Sequence, residues 1–256
     1  MLTPVAQAET VDIPVPKAVL ATAFNAALSS TKIHLHNFGP KNGISWHKDA
    51  SYILLPTGEK KSVPIPEYDF KVTKGRKLIY YLNDMNTNSI QATVNGDRIN
   101  VDAYFENQGE EVKGKCVRKK KVGKKKWKEC SLKIERDIHL DNAVASISLV
   151  PVAYNGSISY DSPQVDFKTD VKIANKLCKT FKGICGRIEG KIKKDMTKQI
   201  ERHMITFLNG TKMKKDVARK VSKSSGIRRL IDPKWKVTKV TSRGGNFIVT
   251  VERSGK

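Results

Sequence analysis

The chain has 256 residues, 39% of them hydrophobic, and 48 Lys+Arg against 25 Asp+Glu, a formal net charge of +23. That length allows one large domain or two small ones. No run approaches the 18 or more consecutive apolar residues of a membrane-spanning helix, and a charge this large implies an anionic partner such as lipid headgroups, a membrane surface or nucleic acid.

Residues 1–8 end in Ala6-Gln7-Ala8, a small-x-small pattern of the kind signal peptidase cuts, with Glu9 as a mature N-terminus. They are read as the remnant of an export signal, or as a disordered tail, ahead of a single domain at 9–256. Pro16 suits a helix start, where its missing N–H costs nothing. Val19, Leu20, Ala23, Phe24, Ala27 and Leu28 then give a helical stripe ending at Ser30, expected as a lid, an end plug or an ordinary packing helix. From Thr31 the period becomes two, and Pro40, Gly43, Pro56, Gly58, Pro64 and Pro66 argue against helices. Ile90, Ala92 and Val94 alternate, Asn95-Gly96 reads as a type I′ turn, and Ile99, Val101, Ala103 and Phe105 alternate back.

Ten of the sixteen residues from Lys113 to Lys128 are Lys or Arg. Folding gains nothing from crowding like charge, so this hairpin tip is expected to bind an anion through Lys119, Lys120, Lys121, Lys124, Lys125, Lys126 and Trp127. Trp favours membrane interfaces, and each Lys near an anionic bilayer contributes about 1 kcal/mol. Single-strand nucleic-acid binders interleave several aromatics for stacking, whereas this tip has Trp127 alone. A second long hairpin is expected from Ile138 to Val152 and back through Ile158, turning at Asn155-Gly156.

The four cysteines form two close pairs in sequence, Cys116 with Cys130 and Cys178 with Cys185. Three connectivities exist in principle. Short loops cost less entropy to close, so two local disulfides are expected, which implies a periplasmic or secreted protein; the alternative is free thiols in a cytosolic one. The spacing does not suit zinc.

From Arg187 to Leu208, Ile188, Ile192, Met196, Ile200, Met204 and Phe207 recur every three or four residues. This is one stripe of a helix roughly 33 Å long. Asn209-Gly210 ends it. Lys212–Ser224 reads as a shorter helix closed by Gly226, and Trp235 to Val251 as a last hairpin through Arg243-Gly244-Gly245-Asn246. Ile and Met suit a core, and equally a pliable apolar ligand, so the stripe is the candidate lipid-binding lining.

Catalysis has no support here: no Gly-x-Ser-x-Gly elbow, phosphate-cradling Gly-rich loop or His-Glu-x-x-His helix is present. His34 and His36 share a strand face without an evident third metal ligand. Neither enzyme activity nor a cofactor nor a metal is expected.

The order of elements, from a helix at Lys17–Ser30 through long strands, Val165-Asp-Phe-Lys-Thr-Asp-Val-Lys-Ile, the long helix, Lys212–Ser224 and a hairpin at Lys234–Arg253, resembles the tubular lipid-binding superfamily. That group includes the bactericidal/permeability-increasing proteins and the synaptotagmin-like mitochondrial-lipid-binding modules. The resemblance implies an α+β fold in which a long, strongly curved antiparallel sheet wraps around the long amphipathic helix, with a short N-terminal and a second short C-terminal helix and an acyl chain between sheet and helix. Some relatives bind lipopolysaccharide through basic hairpin tips, which the lysines around Gly123 match. Local cysteine pairs are not a general mark of that group. The expected partners are lipid or lipopolysaccharide and an anionic membrane surface, with no nucleic acid. The rival readings are a nucleic-acid-binding basic protein and a structural or adhesive surface protein without ligand.

Overall fold

The computed structural model describes residues 9–35, 40–41, 44–45, 51–55, 57–62, 68–73, 76–82, 85–106, 112–119, 127–129, 138–174 and 182–253. In chain order these form β1 (Glu9–Pro16), α1 (Lys17–Leu28), β2 (Lys32–Leu35), β3 (Pro40–Lys41), β4 (Ile44–Ser45), β5 (Tyr52–Leu54), β6 (Lys60–Ser62), β7 (Tyr68–Thr73) and β8 (Arg76–Leu82). Then follow β9 (Met85–Asn95), β10 (Arg98–Phe105), β11 (Val112–Lys119), β12 (Trp127–Glu129), β13 (Ile138–Tyr154) and β14 (Ser157–Ile173). The chain closes with α2 (Lys182–Leu208), α3 (Thr211–Lys223), α4 (Ser225–Leu230), β15 (Lys236–Arg243) and β16 (Asn246–Arg253).

Among the described residues the fold is α+β, with a curled antiparallel sheet and four helices. The described part of the main sheet has 11 strands, in the order β6-β5-β2-β9-β10-β13-β11-β8-β7, with β12 paired to β11 and β14 to β13. Its spine is the β13–β14 hairpin, two strands of 17 residues. The register breaks between Asp141 and Val144 and again between Ser148 and Val150. Asn142 and Ser162 take positive φ at these breaks. Bulges of this kind bend a strand and increase its twist. Pro163 lies in the second break, where a missing N–H removes no ladder bond. Pro151 lies beyond the last β10 partner, Leu149, so it faces β14 alone.

A smaller sheet, β1-β16-β15, joins the two ends of the described chain. The sequence reading did not anticipate β1, which pairs along its whole length with β16, from Glu9↔Arg253 to Pro16↔Asn246. Two further differences are local. The first hairpin turns on Gly96-Asp97, since Asn95 pairs with Arg98. Only Gly96 has positive φ there (61°), so the turn is not type I′, which needs it at both positions. The type I′ pattern belongs to Asn155-Gly156, at 48° and 75°. Gly226 does not close a helix: α3 ends at Lys223 with Ser224 as its C-cap, and Gly226 sits inside α4.

The long helix begins at Lys182, five residues before the expected start, so α2 has 27 residues and is about 40 Å long. It runs antiparallel to β14. Glu189 Oε1 accepts the Ile173 N–H at 2.8 Å and Glu201 Oε1 accepts the Phe167 N–H at 3.0 Å. These are edge N–H groups that β13 does not use. A sheet edge left bare invites pairing with other chains, and here two helix carboxylates cover it. Farther on, the Tyr160 hydroxyl donates to the Leu208 carbonyl at 2.9 Å. One core cluster of buried residues takes in both sheets and the helices α1 to α4.

Candidate apolar ligand site

The C-terminal end of α2 meets α1, α3 and the inner face of the main sheet around a cavity of 30 Å³. Period-two alternation builds its floor. Val101 and Ala103 of β10 and Ile147 and Leu149 of β13 all point inward, and Ile99↔Leu149 and Val101↔Ile147 are cross-strand partners. Helical periodicity builds the roof, with Met204, Phe207 and Leu208 from α2 and Met213 and Val217 from α3. Phe24 and Leu28 of α1 close the end. Ile33, Ile53 and Ile90 complete the wall from β2, β5 and β9.

The surface of the cavity is entirely apolar. Tyr160 lines it with its ring, while its hydroxyl is held by Leu208 and its pKa is raised above the phenol range by burial, with Tyr154 adding to the effect. Among the described residues the Thr31 hydroxyl is buried without a hydrogen-bond partner. Leaving such a group unmatched costs about 1–3 kcal/mol. The neighbouring charge is arranged outside. Lys214 reaches Asp161 at 2.5 Å, and that hydrogen bond, with one from the Ser162 backbone, holds the Asp161 carboxyl below its ordinary range. On α2, burial and then the Arg202 charge lower the His203 pKa.

Two of the six stripe residues from the sequence reading, Met204 and Phe207, line this cavity. Ile188, Ile192, Met196 and Ile200 are equally buried, at 2% exposure or less, but belong to the packed core nearer the helix N-terminus. Met204 lies about 24 Å along the helix axis from Ile188. The strand residues of the lining were not singled out beforehand, although their alternation was visible. Nothing local shows which of several alternating strands share one cavity.

The basic hairpin exists as strand pairing, since β11 and β12 pair through Val117↔Glu129, Arg118↔Lys128 and Lys119↔Trp127. Lys120, Lys121, Lys124, Lys125 and Lys126 lie outside the described residues. So do Cys130 and Cys178. Cys116 lies in β11, and Cys185 is buried in the first turn of α2. His34 Nδ1 donates to Asn86 Oδ1 at 2.7 Å and its ring stacks on Tyr52, and His36 lies outside the described residues. Among the described residues no group of three or more His, Cys, Asp or Glu could hold a metal, and no helix is long and apolar enough to cross a membrane.

A wider groove of 730 Å³ runs beside α3, between Tyr154 and Thr57. Its cations are partly neutralised in place, Lys212 by Glu59 and Arg219 by Asp216.

No family model matches the chain, and no curated protein does. Among solved structures, one similar chain is that of a crystal structure of lipopolysaccharide binding protein, at a TM-score of 0.35 and 12% identity, over 96% of this chain and 49% of that one. The chain thus spans about half the length of that neighbour, and a likeness this distant carries no functional argument.

Proposed function

We propose that the protein is an exported lipid-binding or lipid-transfer protein, with 9–256 as one domain whose sheet curls about α2 and shields an acyl chain against it. The observation that carries this reading is the wholly apolar cavity where α1, α2 and α3 meet the sheet. At 30 Å³ it holds about one water's share of liquid volume. A chain therefore enters by displacing walls, not by filling a ready tunnel. Met204 and Met213 suit that role, because unbranched thioethers repack at low cost. The stripe from Ile188 through Met196 to Ile200 continues the path toward the helix N-terminus. Burial supplies affinity at about 0.8 kcal/mol per CH₂.

Docking falls to the basic hairpin, with Lys119, Lys120, Lys121, Lys124, Lys125, Lys126 and Trp127 meeting an anionic membrane or lipopolysaccharide. The net +23 speeds encounter with such a surface, and the attraction weakens with salt. Disulfides Cys116–Cys130 and Cys178–Cys185 would fix the hairpin base and the entry to α2 in an oxidising compartment. No catalytic step is assigned.

Native mass spectrometry of the purified chain tests the cavity. Lipid-sized adducts are expected on the wild type and on Met204→Leu. Ala103→Leu fills the void and removes them, at about 1–3 kcal/mol of overpacking, which leaves the chain folded. A clean apo mass for the wild type, or undiminished adducts on Ala103→Leu, refutes the reading. Retention on nucleic acid that falls steeply with salt would then assign the charge to that partner.

A further inference from the structure

The outer face of the main sheet carries a groove of different chemistry. The residues that alternate with the cavity lining form cross-strand rows. Thr93 pairs with Asn100, Asn100 with Ser148 and Ser148 with Gln164. The next row runs Gln91, Asp102, Ser146, Asp166, and the next places Tyr104 opposite Val144. A groove of 370 Å³ lies over the first two rows. That is within the range of small-ligand clefts, roughly 300–1,000 Å³, and its lining mixes polar side chains with Ile147 and Val165.

We infer that this groove, with the Tyr104 ring beside it, is a binding site for a neutral saccharide. Three observations support the assignment. First, the grid is preorganised. Ser146 donates to Asp102 Oδ1 at 2.7 Å, Ser148 donates to Asn100 Oδ1 at 3.1 Å, and Arg98 Nε donates to the Ser148 hydroxyl at 2.6 Å. Short side chains fixed in this way lose little entropy when a ligand arrives. The Asn100 amide N–H groups, the Gln164 carboxamide and Asp102 Oδ2 remain without partners among the described residues. They offer donors and acceptors side by side, as a ring of hydroxyls requires.

Second, Tyr104 is 39% exposed, one of two large hydrophobic residues exposed among those described. It stands two residues beyond Asp102, about 7 Å along the strand. A pyranose lying on that ring has its C–H face against an apolar surface and its hydroxyls over Asp102 and Ser146.

Third, the face departs from the charge of the rest of the chain. In a protein with 48 Lys+Arg, the basic residues flanking these rows are Arg98, paired with Asn95, and Lys168, paired with Val144. Arg98 is committed to Ser148 and to the Ser162 carbonyl, and Lys168 to Asp166 at 3.0 Å. A face meant for an anion would not hold its cations in such pairs. The site uses other side chains than the lipid reading, since Val101 and Ala103 line the cavity while Asn100, Asp102 and Ser146 line the groove; Ile147 of β13 borders both.

The test uses the full chain on an array of neutral and anionic glycans, with saturation-transfer NMR on maltose and cellobiose. At least one neutral glycan is expected to bind, with an affinity unchanged by a roughly tenfold rise in salt. Tyr104→Ala and Asp102→Ala, both at outward positions, should each weaken it by about tenfold, while Ala103→Leu leaves it intact. Absence of neutral-glycan binding, binding of anionic glycans alone, or unchanged affinity in both outward variants would overturn the assignment.

Discussion

Besides its buried apolar stripe, α2 holds the edge of β14 through Glu189 and Glu201, and removing them gives a measurable prediction. The two carboxylates are twelve residues apart, about 18 Å along a helix. Their partners, Ile173 and Phe167, are six residues apart, about 20 Å along a strand. The match of these lengths lets both bonds form at once, at 2.8 and 3.0 Å. Replacing either Glu by Ala leaves a half-buried edge N–H with no protein acceptor. Hydrogen bonds to charged groups contribute about 1.5–3 kcal/mol, and partial water access reduces this to about 1–2 here. The double variant Glu189→Ala/Glu201→Ala should therefore lose about 2–4 kcal/mol. For a chain of this size each kcal/mol moves Tm by about 2–4 °C. Urea unfolding measures the loss, and amide hydrogen exchange localises it to Phe167 and Ile173. Gln keeps a carbonyl acceptor, so the Gln pair should recover at least half the loss. If the Ala pair unfolds at the wild-type urea midpoint, or the Gln pair is as unstable as the Ala pair, the carboxylates do not hold the helix to the edge.

Three further outcomes follow from single contacts. Gly226→Ala places a Cβ 2.9 Å from Val19 Cγ1 across the α1–α4 contact, so it should cost about 1–3 kcal/mol, and Val19→Ala in the same chain should recover part of that in a double-mutant cycle. The Asp161 carboxyl is held below its ordinary 3.8, chiefly by the Lys214 hydrogen bond. Its contribution is therefore present above that value and lost as pH falls through the lower folded-state pKa, and Asp161→Asn should flatten the acid limb of the urea-midpoint profile. His203 is lowered from 6.5 by burial first and by Arg202 second, so the unfolded chain binds its proton more readily; stability should fall on acidification below that value, and His203→Gln should abolish that slope.

Much of the fold is legible in local pattern. The stripes of α1 and α2, the alternation of β9, β10, β13 and β14, and the final hairpin were all read from spacing, because a helix or strand half buried in a core must repeat its apolar residues at its own period. Turn detail was less legible. Asn95-Gly96 and Asn155-Gly156 are the same dipeptide, yet only the second is a type I′ loop. The strand pairing fixes which two residues are left over to turn. β1 was missed for a related reason: Thr10 to Pro16 has short, proline-containing alternation, and its partner β16 lies at the other end of the chain.

The sequence alone determined the charge, the amphipathic helices, the strand-rich middle and the basic run near Gly123, since each is a property of neighbouring residues. Tertiary structure decided that Met204 and Phe207 share a cavity with Phe24 and Leu149, whereas Ile188 and Ile192 do not. It also decided that the glutamates of α2 seal an edge and that Tyr104 stands beside a polar grid. These facts join residues from distant parts of the chain. Period fixes which side of a strand a residue takes, but only the pairing of strands and the docking of helices fix what lies opposite.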